Sequence, residues 1–168
     1  MTYLFRDATL ADLPAIVAIY NTTVPSRMVT ADLQPVSVAS RQAWFDAHSP
    51  DHRPLWVVEA SDNPGAGILG WLSFSDFYGR PAYAATVEVS IYLAEQARGQ
   101  GLGRLFLQRA LAAAPALGIA TVLGFIFGHN EASRGLFRTY GFADWGVLPA
   151  VASLDGVERD LVIMGRRL

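Results

Sequence analysis

Six consecutive residues, Arg98-Gly99-Gln100-Gly101-Leu102-Gly103, stand between a strand-like run from Val87 to Leu93 and an apolar stretch of helical periodicity from Leu105 to Ala114. That arrangement suits an anion. Glycine lets the backbone approach a ligand with no Cβ in the way, and the first N–H groups of a helix lack intrahelical partners and carry partial positive charge. A pyrophosphate is the natural guest of such a turn. The spacing excludes two other phosphate loops. A dinucleotide fingerprint needs a third glycine where Arg104 stands, and a Walker loop needs a Gly-Lys-Ser/Thr run that is absent.

The strand before the turn carries the second feature. Alternation in Val87-Glu88-Val89-Ser90-Ile91-Tyr92 puts Glu88, Ser90 and Tyr92 on one face. Partial burial of a carboxylate among Val87, Val89 and Ile91 raises its pKa toward the working pH, which suits a general base. Other chemistry is excluded by composition. The chain has no cysteine, hence no disulfide, thiolate metal site or cysteine nucleophile, and its thirteen basic residues are all arginine, hence no Schiff-base lysine. His48 and His52 are four residues apart, but Pro50 lies between them and no third ligand is evident, so no metal site is read.

The chain that must position these residues has 168 of them, 52% hydrophobic and 17% charged, which fits one domain over residues 1–168. No run approaches the roughly 18 to 20 apolar residues of a membrane span, and residues 1–12 lack a signal-peptide pattern, so a cytoplasmic protein without a membrane partner is expected. A net charge of −2 gives no global attraction to nucleic acid and favours a small-molecule partner.

Tyr3 to Asp7 reads as a strand. Thr9, with Asp12 three residues later and apolar residues at Leu13, Ile16, Val17 and Tyr20, reads as a capped helix. Ser37 to Ala47 looks helical and presents Trp44 and Phe45 together as a cover over the acceptor side. Trp56 to Glu59 and Ile68 to Phe74 read as a hairpin across Asp62-Asn63-Pro64-Gly65. Tyr83 to Leu93 is the central strand, and the helix after the glycine turn runs to about Leu117. Ile119 to Phe127 is a buried strand, Glu131 to Tyr140 a second helix, and Phe142 to Leu148 and Glu158 to Gly165 an antiparallel pair around Leu154-Asp155-Gly156. The order suits an α/β (α+β) fold, a mixed sheet with helices on both faces.

Arg98-x-x-Gly101-x-Gly103, the strand Thr86 to Tyr92 before it, and Asn130-Glu131-Ala132-Ser133 followed by Gly141-Phe142 after it together resemble the GNAT-type N-acetyltransferases over nearly the whole chain. Ile19-Tyr20-Asn21 and the Trp44-Phe45 pair resemble the phosphinothricin and methionine sulfoximine acetyltransferase branch. The resemblance implies a GNAT fold in which the central strand and its neighbour splay apart to admit acetyl-CoA. It implies that Ser90, Ile91, Tyr92, Leu93, Arg98, Gly99, Gln100, Gly101, Leu102, Gly103, Asn130 and Ser133 contact that cosubstrate. Glu88 stands where family members carry their base, and a backbone N–H near Tyr92 polarises the thioester carbonyl. Thr30, Phe77, Arg80, Tyr83 and Thr86 are implied on the acceptor side, and a homodimer is implied as the assembly.

The chain departs from the branch at several positions. The family's thiol-protonating tyrosine or histidine, seven residues after Asn130, is Phe137, with Tyr140 one helical turn on. An arginine common before Thr86 is Ala84, leaving Arg80 nearby as a carboxylate clamp. In the C-terminal motif only Val151, Gly156 and Asp160 match, with Leu154 in place of lysine, and Val89 replaces a histidine common after the base. The expected function is acetyl-CoA-dependent N-acetylation of a small amino-acid-like amine by direct attack. A polyamine or a protein N-terminus is an alternative acceptor, and a non-catalytic acyl-CoA sensor an alternative class. A nucleotide-binding module would require ATP or NAD to compete with CoA.

Overall fold

The computed structural model describes residues 2–63, 65 and 67–168. Strands β1 (Tyr3–Asp7), β2 (Leu55–Ala60), β3 (Ile68–Asp76), β4 (Thr86–Leu93), β5 (Thr121–Phe127), β6 (Ala143–Leu154) and β7 (Val157–Arg167) form one sheet in the order β1-β2-β3-β4-β5-β7-β6. Every neighbouring pair is antiparallel except β4 and β5. Helices α1 (Leu13–Thr23) and α2 (Gln42–Asp46) lie on one face, α3 (Leu102–Ala113) and α4 (Glu131–Thr139) on the other. No helix among the described residues is long and apolar enough to cross a membrane.

Strand alternation decides which side chains meet which helix. Trp71 faces α1 and donates from Nε1 to the Ile16 carbonyl at 3.1 Å. Gly70 and Val87 face the other way, where Phe106 of α3 is fully buried and meets Phe5 edge-on at 5.0 Å. Full burial of side chains such as Phe74, Leu72, Phe106 and Leu107 contributes about 1.5–3 kcal/mol each before conformational entropy is counted. The Thr9–Asp12 start is made as expected: the Thr9 N–H donates to Asp12 Oδ2 at 2.7 Å. The Arg6 guanidinium also binds the Asp12 carboxylate and, as the main cause, holds its pKa down to about 2.

Several boundaries differ from the sequence reading. Residues 37–47 give a 3-10 turn at Ala39–Arg41 and a five-residue α2, because this segment caps the sheet instead of spanning it. The central strand starts at Thr86, since Pro81–Tyr83 form a separate turn. The expected turn at residues 62–65 contains Pro64, outside the described residues, but the strands it joins do pair antiparallel. The β6–β7 hairpin is longer than expected. Pro149 is accommodated because β6 is an edge strand whose register shifts between Leu148 and Ala152.

The break in the middle of the sheet matters most for function. β4 and β5 pair only through Thr86, Val87 and Glu88 against Thr121, Val122 and Leu123. Beyond Glu88, β4 stays with β3 to Leu93 while β5 stays with β7 to Phe127, and the strands diverge.

Candidate active site

Three cross-strand pairs on one face of β3 and β4, Trp71 with Tyr92, Ser73 with Ser90, and Ser75 with Glu88, form the floor of a cavity of about 250 Å³. Its roof is Ile16, Val17 and Tyr20 of α1, Val36, and Arg41 and Trp44 from the α2 region. Asn21 fixes that roof. Its side-chain amide donates to the Val36 carbonyl and accepts from the Val36 N–H, both at 2.9 Å. Trp71 stacks on Tyr92 with ring centroids 4.5 Å apart, and Tyr20 and Trp44 meet this pair at 5.1 and 5.4 Å.

Glu88 is partly buried here, and burial is what pushes its carboxyl above the ordinary 4.5, with no hydrogen bond or ion pair opposing the shift. A carboxylate with no protein partner among the described residues, in a cavity, is poised to take a proton from a ligand. Burial likewise pushes the Tyr92 phenol up, so it stays protonated at neutral pH.

On the far side of β4 lies a cleft between the diverging strands. The Ala94 N–H donates to the Leu69 carbonyl at 2.9 Å, which makes Ala94 a hydrogen-bonded position against β3. By alternation Tyr92 and Ser90 also bond to β3, and the N–H and C=O groups of Ile91 and Leu93 point into the opening. The backbone donors aimed at the opening are therefore those of Ile91 and Leu93, while Tyr92 contributes its ring. The cleft is walled by Val29, Phe125, Asn130, Ser133 and Phe137 and shares Ser90 and Tyr92 with the cavity. Tyr92 also borders a groove of about 500 Å³ that runs past Arg98, Gly99, Gly101, Gly103 and Arg104. Cavity, cleft and groove thus form one path.

The glycine turn has the geometry its sequence implies. Gly99 and Gly101 have φ of 73° and 82°, a region that favours glycine, and Gly101 caps the N-terminus of α3. The space over both glycines is empty, so backbone N–H groups are open to a ligand. Arg98 borders the groove and donates from Nε to the Leu93 carbonyl at 3.3 Å, tying turn to strand. Open turn amides, two arginines and unpaired strand amides fit the pyrophosphate and pantetheine of a coenzyme A thioester.

Residues 3–143 match the family model described as Acetyltransferase (GNAT) domain. The chain belongs to the GNAT acetyltransferase family. Among its relatives is a Bacillus subtilis protein named "Putative phosphinothricin acetyltransferase YwnH", 52% identical over 97% of this chain and 98% of that protein. An L-methionine sulfoximine/L-methionine sulfone acetyltransferase of Pseudomonas paraeruginosa is 40% identical over 98% of this chain and 94% of its own. The crystal structure of a GNAT superfamily phosphinothricin acetyltransferase from Sinorhizobium meliloti, in complex with acetyl-CoA, superposes with a TM-score of 0.91 at 32% identity. That likeness covers 100% of this chain and 89% of the other. The fold is the GNAT fold, the enzyme class is N-acetyltransferase, and acetyl-CoA is the acyl donor of the family.

Against this GNAT frame the sequence-derived residues sort into groups. Ser90, Ile91, Tyr92, Leu93, Arg98, Gly99, Gly101, Gly103, Asn130 and Ser133 border the cleft or groove. Two do not. The Leu102 side chain is fully buried in the core, so only its backbone can face a ligand, and Gln100 is turned aside to Tyr3 and the Gln96 carbonyl. Thr30, Phe77, Arg80, Tyr83 and Thr86 do not line the cavity over Glu88. Thr30 is buried behind it, hydrogen-bonded to the Tyr20 hydroxyl. Phe77 and Tyr83 cluster with Tyr78 on the β3–β4 loop, and Phe77 meets Phe125 of β5. Buried Arg53 anchors that loop through Asp76 at 2.6 Å and the Ala84 carbonyl at 2.8 Å.

Phe137 borders the cleft with its ring laid over Gly124 and offers no proton. Tyr140 does not border the cleft: it closes α4 beside Arg166 and borders a separate surface hollow. A strap absent from the sequence reading crosses the cleft. The carbonyls of Arg27 and Met28 accept from His129 Nε2 at 2.9 Å and Asn130 Nδ2 at 3.0 Å, while Arg27 grips Asp155 at 2.7 Å. The residues that sequence reasoning missed are Ser73, Ser75 and Arg41. The period-two serines in Trp71-Leu72-Ser73-Phe74-Ser75 were a signal, since hydroxyls on one face of a strand mark a polar wall.

Proposed function

We propose that this protein transfers the acetyl group of acetyl-CoA to the α-amine of a small free amino acid of the phosphinothricin and methionine sulfoximine type, by direct attack. One observation carries the reading: a cavity of about 250 Å³ holds the unpartnered Glu88 and meets the cleft at Ser90 and Tyr92. That volume lies below the roughly 300–1,000 Å³ of drug-sized sites and suits one amino acid better than a peptide terminus. The names of the relatives support the same acceptor class.

Acetyl-CoA, when bound, supplies an activated acetyl thioester. Glu88 takes a proton from the acceptor ammonium, directly or through a water held by Ser75 and Ser90, leaving a neutral amine to attack the carbonyl carbon; as the C–S bond breaks, the nitrogen gives up its second proton to the departing thiolate or to water. The Ile91 N–H is the backbone donor placed to favour charge on the thioester oxygen. Among the described residues no histidine lines the cavity to activate Ser73, Ser75 or Ser90 as a nucleophile, and the chain has no lysine, which supports transfer without a covalent acyl-enzyme. Phe137 leaves the departing thiolate without a side-chain acid there. A thiol pKa of about 8.5 makes it a fair leaving group even so.

The reading includes a cytoplasmic homodimer. The row of exposed apolar side chains on edge strand β6, Trp145, Val147, Leu148 and Val151, supports the assembly. The experiment is free-thiol release from acetyl-CoA across amino acids, methionine sulfone and sulfoximine, glufosinate and polyamines, with CoA binding measured in parallel. Turnover with free amino acids is expected. CoA binding with no turnover on any amine would overturn the reading in favour of a sensor.

A further inference from the structure

Arg80, the carboxylate clamp expected from the sequence, is exposed on the β3–β4 loop and does not line the cavity. The cavity does contain a guanidinium from another direction. Arg41, at the N-cap of α2, is its only basic lining residue among the described residues. We propose that Arg41 anchors the acceptor's α-carboxylate and so selects carboxylate-bearing amines over polyamines and simple amines. The inference rests on the acetyl-transfer reading above and names the specificity determinant of that site.

Arg41 is held but not saturated. Its guanidinium lies over the Tyr20 ring at 4.8 Å, and Nη2 donates to Asp32 Oδ2 at 3.1 Å. Asp32 is itself tied to the Tyr20 hydroxyl, which fixes the direction of the group. A guanidinium has five N–H donors, and this is its single side-chain hydrogen bond among the described residues. Its side chain is 29% exposed, so the remaining donors are open to a ligand in the cavity. A planar fork with free N–H groups matches a carboxylate in two-point fashion, which an ammonium cannot do.

The charges in the cavity are also separated. Glu88 and Arg41 line the same space yet form no ion pair with each other. The Tyr92 phenol, shifted upward chiefly by burial, is pushed further up by Glu88 and eased down by Arg41, which places its ring in the field of both. A zwitterion complements that field, with its ammonium toward Glu88 and its carboxylate toward Arg41. The second ammonium of a polyamine would meet Arg41 as a like charge.

The test compares L-methionine sulfone with its carboxamide, which keeps the amine and loses the charge, as acceptors for the wild type, Arg41→Gln and Arg41→Lys. The ratio of kcat/KM values for acid and amide is read by thiol release, with CoA affinity as the check on folding. The wild type is expected to prefer the acid by about 10- to 100-fold, the range of a charge-assisted hydrogen bond. In Arg41→Gln the ratio falls to within about threefold of unity, and Arg41→Lys, with charge but no fork, keeps an intermediate ratio. An undiminished ratio in Arg41→Gln, or in Arg41→Lys and Arg41→Gln alike, overturns the assignment and leaves the acetyl-transfer reading standing. A wild type that acetylates neither compound nor any other amine of the wider panel overturns both.

Discussion

Gly70→Ala tests whether the packing behind β4 sets the geometry of the cleft. Gly70 is the register partner of Leu93, at a position where the two strands approach most closely. A Cβ there would lie 2.8 Å from the Tyr92 carbonyl oxygen, 2.7 Å from Leu93 Cδ2 and 3.3 Å from Phe106 Cε2. Ordinary contact begins at 3.4 Å, so restoring it at the Tyr92 carbonyl requires the two strands to shift apart by 3.4 − 2.8 = 0.6 Å. Overpacking of this kind costs about 1–3 kcal/mol. At roughly 2–4 °C per kcal/mol for a domain of this size, Tm falls by about 2–12 °C. The displaced segment carries Tyr92 and Leu93 at the edge of the opening, and kcat/KM for acetyl-CoA falls by about tenfold, since 1 Å of misplacement can cost about a hundredfold. Gly135→Ala is the matched control: it lies in α4 with nothing within 4 Å of its Cβ, and is expected to stabilise by about 0.5–1 kcal/mol. Thermal denaturation and acetyl-CoA kinetics read both variants. A Gly70→Ala protein with wild-type Tm and kcat/KM would refute the claim that close packing against β3 holds the cleft in place.

Two further outcomes follow from the site. Glu88→Gln is expected to lower kcat by about 10²- to 10⁴-fold near neutral pH, with a smaller loss at high pH where the free amine is abundant. The same variant should be more stable than wild type at neutral pH. Burial raises the folded pKa of Glu88, so its ionised form destabilises the fold as pH rises from 4.5 through the raised value, and the two proteins should match below 4.5. A pH-independent stability difference would remove the desolvation argument. Gly101→Ala should weaken CoA binding by about tenfold and cost about 1–2 kcal/mol of stability, because φ is +82° at the cap of α3. The open space over Gly101 means that backbone strain and obstruction of the ligand act there, not a clash within the protein; unchanged affinity in calorimetry would dismiss the turn as the pyrophosphate seat.

The sequence by itself determined what local rules govern. The glycine turn, the face shared by Glu88, Ser90 and Tyr92, the Thr9–Asp12 cap and the order of strands and helices depend on spacing over a few residues, and the structure reproduces them. That Phe137 offers no proton was legible from its residue type, and the structure adds that it borders the cleft. Tertiary structure alone decided three matters. Which backbone N–H groups of β4 face the opening depends on its register with β3, and that register turns those of Ile91 and Leu93 toward it and that of Tyr92 toward β3. Whether Phe77, Arg80 and Tyr83 share the Glu88 cavity depends on how the β3–β4 loop, anchored by buried Arg53, turns away from it, while Thr30 is held behind the cavity by the Tyr20 hydroxyl. The entry of Arg41 depends on Asn21 clasping Val36 across fifteen residues, which lowers the start of α2 onto the cavity. Periodicity assigns a side chain to a face of its own element. Only packing between elements separated in the chain brings a guanidinium from one and a carboxylate from another into the same cavity.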